Sequence, residues 1–140
     1  MASTASGRFV VLCMLAGLLQ FTLSACGGGS SADADEAPID PRAARHLVRA
    51  QNLLDEGSLQ SALARTDSAL AIDSTVADAH FLRGRLFTQL SQYEDAETAY
   101  EKALAINPEK QGAWFNIGNN YFRRRQFRQA LNHYVKEAER

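Results

Sequence analysis

The feature that most constrains this chain is a period. Ala79, Gly84, Phe87, Tyr93, Ala96, Tyr100, Ala103 and Pro108 mark out a unit over residues 77–110. One 34-residue step further on, most of those marks return as Ala113, Gly118, Tyr121, Phe127, Ala130 and Tyr134. One step back, Ala50, Leu53, Leu59, Ala62 and Ala69 fall in the same slots. A fixed period of this length means stacked supersecondary units, none of which can bury its apolar face alone.

Within the period the pattern is helical. Apolar residues recur at three- and four-residue steps, as in Ala96, Ala99, Tyr100, Ala103 and Leu104, and no stretch alternates with period two. Asp40 followed by Pro41 is a helix start: the carboxylate caps the first turn, and proline is preset for it. The expected helices are 41–54 and 58–72, then 76–90 and 92–106, then 111–124 and 126–139. Turns fall at Asp55-Glu56-Gly57 and Ser91, and Pro108 stops the fourth helix. The fold class is therefore all-α, in units 43–76, 77–110 and 111–140.

The recurring residues resemble the tetratricopeptide repeat. Trp114, Gly118, Tyr121, Ala130 and Tyr134 fill that family's alternating large and small slots in the third unit. The second has Gly84, Phe87, Ala96, Tyr100, Ala103 and Pro108, with His80 where tryptophan is usual. The first departs most, with Ala50 for glycine, Thr66 for an aromatic and Ser74 for proline. The resemblance spans 41–140. It implies a right-handed α-solenoid of three helix hairpins with a groove lined by each pair's first helix. By slot, the lining would be Leu47, Gln51, Leu54, Phe81, Arg85, Thr88, Phe115, Asn119 and Phe122. The alternative for these residues is packing against neighbouring helices. The family's clamp for C-terminal carboxylates is missing, since its slots hold Leu47, Gln51, Gly112 and Asn116. A polar helix usually follows the last repeat in this family. Here Glu137 stands where a small residue is expected, and Leu131, Tyr134 and Ala138 would form an uncovered face for a second copy or a partner.

Residues 1–25 have another character. Arg8 precedes the apolar run Phe9-Val10-Val11-Leu12-Cys13-Met14-Leu15-Ala16-Gly17-Leu18-Leu19, which is shorter than the ~20 residues a spanning helix needs. Small residues then close it, as in a secretory signal peptide; the alternative is an uncleaved anchor. Leu23-Ser24-Ala25-Cys26 resembles the lipobox of bacterial lipoproteins. That implies cleavage after Ala25 and a lipid on Cys26, against the alternative of a chance cysteine at a signal boundary. Several acyl chains hold a protein on a membrane far better than one, at about 0.8 kcal/mol per buried methylene. Gly27, rather than aspartate, suggests by the sorting pattern of Gram-negative lipoproteins the outer membrane, facing the periplasm. Residues 26–40, rich in Gly, Ser, Asp and Glu, read as a flexible linker reaching about 20 Å. Loss of Cys13 and acylation of Cys26 would leave the mature chain no free thiol.

Little catalytic chemistry is legible. There is no phosphate loop, nucleophile elbow or zincin pattern. His46, His80 and Trp114 share one slot of successive units, which reads as packing rather than a metal site, and no cofactor is indicated. The net charge of −1 and the export signal argue against nucleic acid. Arg123, Arg124, Arg125 and Arg128 cluster at the end of the fifth helix. They suit a helix C-terminus or offer a docking patch for an acidic partner or lipid headgroups. The expectation is a non-enzymatic, membrane-anchored adaptor that holds a protein or peptide in its groove. The alternatives are the front of a longer enzyme or assembly-machine subunit, and a self-assembling structural module.

Overall fold

The computed structural model describes residues 38–140. The expected signal peptide, lipobox and most of the linker, including Cys26, lie outside the described residues. Six helices follow in order: α1 (Pro41–Asp55), α2 (Leu59–Ile72), α3 (Ala77–Gln89), α4 (Tyr93–Ile106), α5 (Ala113–Arg123) and α6 (Phe127–Ala138). Among the described residues there is no strand, and no helix is long and apolar enough to cross a membrane.

Asp40 opens α1 as its residue type requires. Its carboxylate accepts from the Arg42 backbone N–H at 2.7 Å, with Pro41 at the first position. The Arg42 side chain closes on the same carboxylate, and these hydrogen bonds hold Asp40 down to about 2.

Each hairpin turns through the same backbone device. Gly57, Ser91 and Arg125, one period apart, all lie in the left-handed region, with φ of 77°, 61° and 63°. Their N–H groups donate to Leu54, Thr88 and Phe122, and the next N–H in each turn donates to Leu53, Phe87 and Tyr121. These bonds satisfy carbonyls that the helix end leaves without partners. The inter-unit links also repeat. The Asp73 side chain accepts from Thr75 N–H at 2.9 Å, and the Asn107 side chain accepts from Glu109 N–H at 3.0 Å.

The helices pack α1 on α2, α3 on α4 and α5 on α6, with α2 against α3 and α4 against α5 between hairpins. The first helices also touch one another, α1 with α3 and α3 with α5, whereas the second helices do not. An array whose first helices approach and whose second helices splay curves with the first helices inside.

Two apolar clusters hold it together. One is Ala50, Leu54, Ala62, Leu82 and Leu86; the other is Ala96, Tyr100, Leu104, Ala113 and Ile117. Both join a hairpin to the first helix of the next, so the core is shared along the array. Tight approach depends on glycine. A Cβ on Gly84 would lie 2.6 Å from the Tyr100 ring, and one on Gly118 would lie 2.6 Å from the Tyr134 ring. In the first hairpin Ala50 carries that Cβ, and the facing aromatic is replaced by buried Thr66, whose hydroxyl donates to the Ala62 carbonyl at 2.9 Å.

Candidate functional site: the inner face of the first helices

On the inner side, one slot per hairpin builds a polar row. Gln51 of α1 accepts from Arg85 of α3 at 3.3 Å, one period apart, and donates to Asp55 at 2.9 Å. Asn119 of α5, one period further, accepts from the Tyr134 hydroxyl at 2.8 Å. Beside this row stand Leu47, Phe81 and Phe115. Leu47 is half-buried against the first cluster, and Phe81 is half-buried against Tyr100 at 5.5 Å between rings, with the Lys110 ammonium 5.6 Å from the centre of its ring. Phe115 leans on Tyr134 at 5.6 Å yet stays 51% exposed, which leaves a large aromatic surface for a ligand. The Asn116 side chain donates to the Gly112 carbonyl at its edge.

Two of the nine slot-expected residues pack against a neighbouring hairpin. Leu54 and Thr88 face the next hairpin rather than the groove, and Phe122 holds the same slot in the last hairpin. Leu54 is 5% exposed in the first cluster. The Thr88 hydroxyl donates to Asn120 of α5 at 3.0 Å and lies 3.3 Å from the Tyr100 hydroxyl. Phe122 is 56% exposed and stacks edge-on to Phe127. Slot transfer missed Leu54 and Thr88 because the penultimate position of these first helices packs against the next hairpin.

The basic cluster is also divided. Arg124 is not available for docking: it pairs with Glu94 and Glu97 of α4, both at 2.9 Å. Arg125 serves as the left-handed turn residue, and Arg123, Arg125 and Arg128 remain exposed. On the expected C-terminal face, Tyr134 is instead tucked over Gly118 and bonded to Asn119, while Leu131 and Ala138 are exposed. Glu137 fits its small-residue slot by reaching to the start of α5, where it accepts from the Gly112 N–H at 2.8 Å.

Sequence reasoning missed Asn120, a fully buried side chain bonded to Thr88 across the seam. Its only sequence signal was a polar residue in the slot of Leu86. Burial pushes the Tyr100 phenol up to about 12, against the opposing Thr88 hydrogen bond and Arg85 charge. His80 is buried, with Nε2 3.0 Å from the Ser74 carbonyl oxygen, so it packs as the slot requires. Among the described residues no group of three or more His, Cys, Asp or Glu could hold a metal ion.

Residues 77–110 match the family model of the tetratricopeptide repeat. The chain is 34% identical over 90 residues to tetratricopeptide repeat protein 6 of Homo sapiens, covering 63% of this chain and 17% of that protein. It is 28% identical over 102 residues to anaphase-promoting complex subunit 3 of Schizosaccharomyces pombe, covering 73% and 15%. The chain thus spans less than a fifth of either relative. In structure it resembles the crystal structure of MamA, with a TM-score of 0.66 at 24% identity over 69% of this chain and 53% of that one. It resembles equally the second repeat domain of Spaghetti (RPAP3) bound to an HSP90 peptide, with a TM-score of 0.66 at 17% identity over 70% and 91%. At these identities the structural likenesses carry the fold alone.

Proposed function

We propose that this chain, an all-α array of hairpins carrying the tetratricopeptide repeat, is a non-catalytic scaffold that holds an extended or helical protein segment against its first helices. The observation that carries this reading is the inner face itself. A row of amide and guanidinium groups, Gln51, Arg85 and Asn119, runs beside Phe115, a half-exposed aromatic. Apolar anchors flanked by a few polar groups suit peptide recognition. The repeat domain of Spaghetti, which shares the fold, is described as bound to a peptide.

We further propose that the scaffold works at a bacterial envelope membrane, tethered by lipid on Cys26 through the linker that precedes α1. The Leu23-Ser24-Ala25-Cys26 sequence supports this.

Arg85→Ala with Phe115→Ala tests the groove. Both side chains reach solvent, so the pair should unfold within a few degrees of the parent chain while partner recovery from envelope extracts falls at least tenfold. Recovery unchanged by the pair would contradict the reading. Cys26→Ser tests the tether separately: the protein should leave the membrane fraction, and its continued retention there would contradict lipid anchoring.

A further inference from the structure

We infer that the outer edge of the first hairpin is a second docking site, separate from the groove, for an acidic helix of a partner protein. Arg42, Arg45 and Arg49 follow one another at steps of three and four residues along α1, with His46 beside Arg45, and with Arg65 and Ile72 of α2 they line a cleft of about 390 Å³. No carboxylate lines it. Among the described residues Arg45, Arg49 and Arg65 have no ion-pair partner, and Arg42 pairs with Asp40 alone.

The period shows what such a face receives. The slots of Arg45, His46 and Arg49 are held in α3 by Ala79, His80 and Arg83, and in α5 by Ala113, Trp114 and Ile117. In both helices that face packs on the second helix of the preceding hairpin. Ala113 and Ile117 cluster with Ala96, Tyr100 and Leu104 of α4, and Arg83 bonds Asp67 of α2 at 3.1 Å. The cation in Arg42's slot, Lys110, pairs with Asp78 on the first helix of the preceding hairpin. Where α2 occupies this position against α3, the cation in Arg49's slot meets its carboxylate.

Arg45 stands where the later hairpins place alanine, so the occupant of the first position must bring more negative charge than α2 does. A second copy docking through α6 does not fit. It would present Val135 in Asp67's slot, beside exposed Phe127 and Leu131. A free phosphate or a lipid headgroup would use the charge but not the helical spacing or the apolar wall at Ile72. The α4 sequence shows the fitting chemistry, with Glu101 in Asp67's slot and Glu94, Asp95 and Glu97 before it.

A labelled peptide of residues 93–106 is the probe, titrated into the full 140-residue chain at low salt and followed by fluorescence anisotropy. Saturable binding is expected, weakened about tenfold or more by Arg45→Glu with Arg49→Glu. Arg45→Lys with Arg49→Lys, Arg123→Glu with Arg128→Glu, and Phe115→Ala should each leave it within about threefold. Circular dichroism melting confirms that each variant is folded. A peptide carrying Ala99→Pro, which breaks the helix, should bind far more weakly. The proposal is overturned if no binding occurs, if the Arg45 and Arg49 reversals leave affinity unmoved, or if the proline peptide binds as well as its parent. It is overturned too if inorganic phosphate or phosphatidylglycerol vesicles bind with the same Arg45 and Arg49 dependence and displace the peptide, since the site would then be one for phosphate.

Discussion

At the scale of single residues, the array depends on matched pairs of small and large side chains. Gly84 with Tyr100 and Gly118 with Tyr134 are two solutions, and Ala50 with Thr66 is a third. A Cβ at Gly84 would sit 2.6 Å from a ring that is fully buried and has little room to yield. Gly84→Ala should therefore cost about 2 kcal/mol by overpacking, and Tyr100→Thr about 4 kcal/mol by leaving a void. Together they rebuild the first hairpin's pair, so the double variant should be at least about 1 kcal/mol more stable than the sum of the single losses predicts. Urea unfolding of the four proteins measures this, and strict additivity would mean that the side chains do not meet as described. A second residue-scale test uses His133, stacked between Trp114 at 5.6 Å and Tyr121 at 5.1 Å. Burial, then the Lys136 charge, lowers its pKa, opposed by Glu101. The folded state thus favours the neutral ring. The unfolded chain binds the proton more readily, so stability is present above about pH 6.5 and is lost as pH falls below it. Trp114 is the chain's single tryptophan, and its emission should change with a midpoint below 6.5 that His133→Gln abolishes. A midpoint above 6.5 would contradict this environment.

Among elements, the hairpin turns and the seams decide the geometry. Ser91 and Arg125 hold a left-handed conformation that the first hairpin gives to Gly57. For a residue with a Cβ this conformation costs roughly 1–2 kcal/mol. Arg125→Gly should relieve part of it and raise stability by about 1 kcal/mol, read as a higher urea midpoint at constant slope; a lower midpoint would show that the Arg125 side chain contributes more than its backbone costs. Helix positions were legible in the sequence because Asp40-Pro41, the turns at Asp55-Glu56-Gly57 and Ser91, and Pro108 are local signals. The expected ends fall within two residues of those found. The seams were less legible. The sequence slot of Leu54, Thr88 and Phe122 does not say whether a side chain points into the groove or along the array, since both directions lie on one helix. The salt links of Arg124 to Glu94 and Glu97 join α4 to the last turn across 27 residues or more of chain. No local pattern announces them, which is why Arg124 read as part of a basic patch.

For the whole molecule, curvature gathers equivalent positions of a one-dimensional repeat onto one side. The first helices touch and the second helices do not, so Gln51, Arg85, Phe115 and Asn119 share the inner side. The period made the order of first and second helices readable in advance. The arginine cleft was not, because its residues come from two helices and each alone looks like a solvated charge. The most direct measurement is site-specific photo-crosslinking in cells, with a crosslinking side chain in place of Phe115 or, as a control, Ala64 on exposed α2 surface. The account predicts discrete adducts from position 115 that map by mass spectrometry to one segment of a partner, and none of these from position 64. The same adducts from both positions, or adducts from position 64 alone, would contradict a scaffold that works through its first helices.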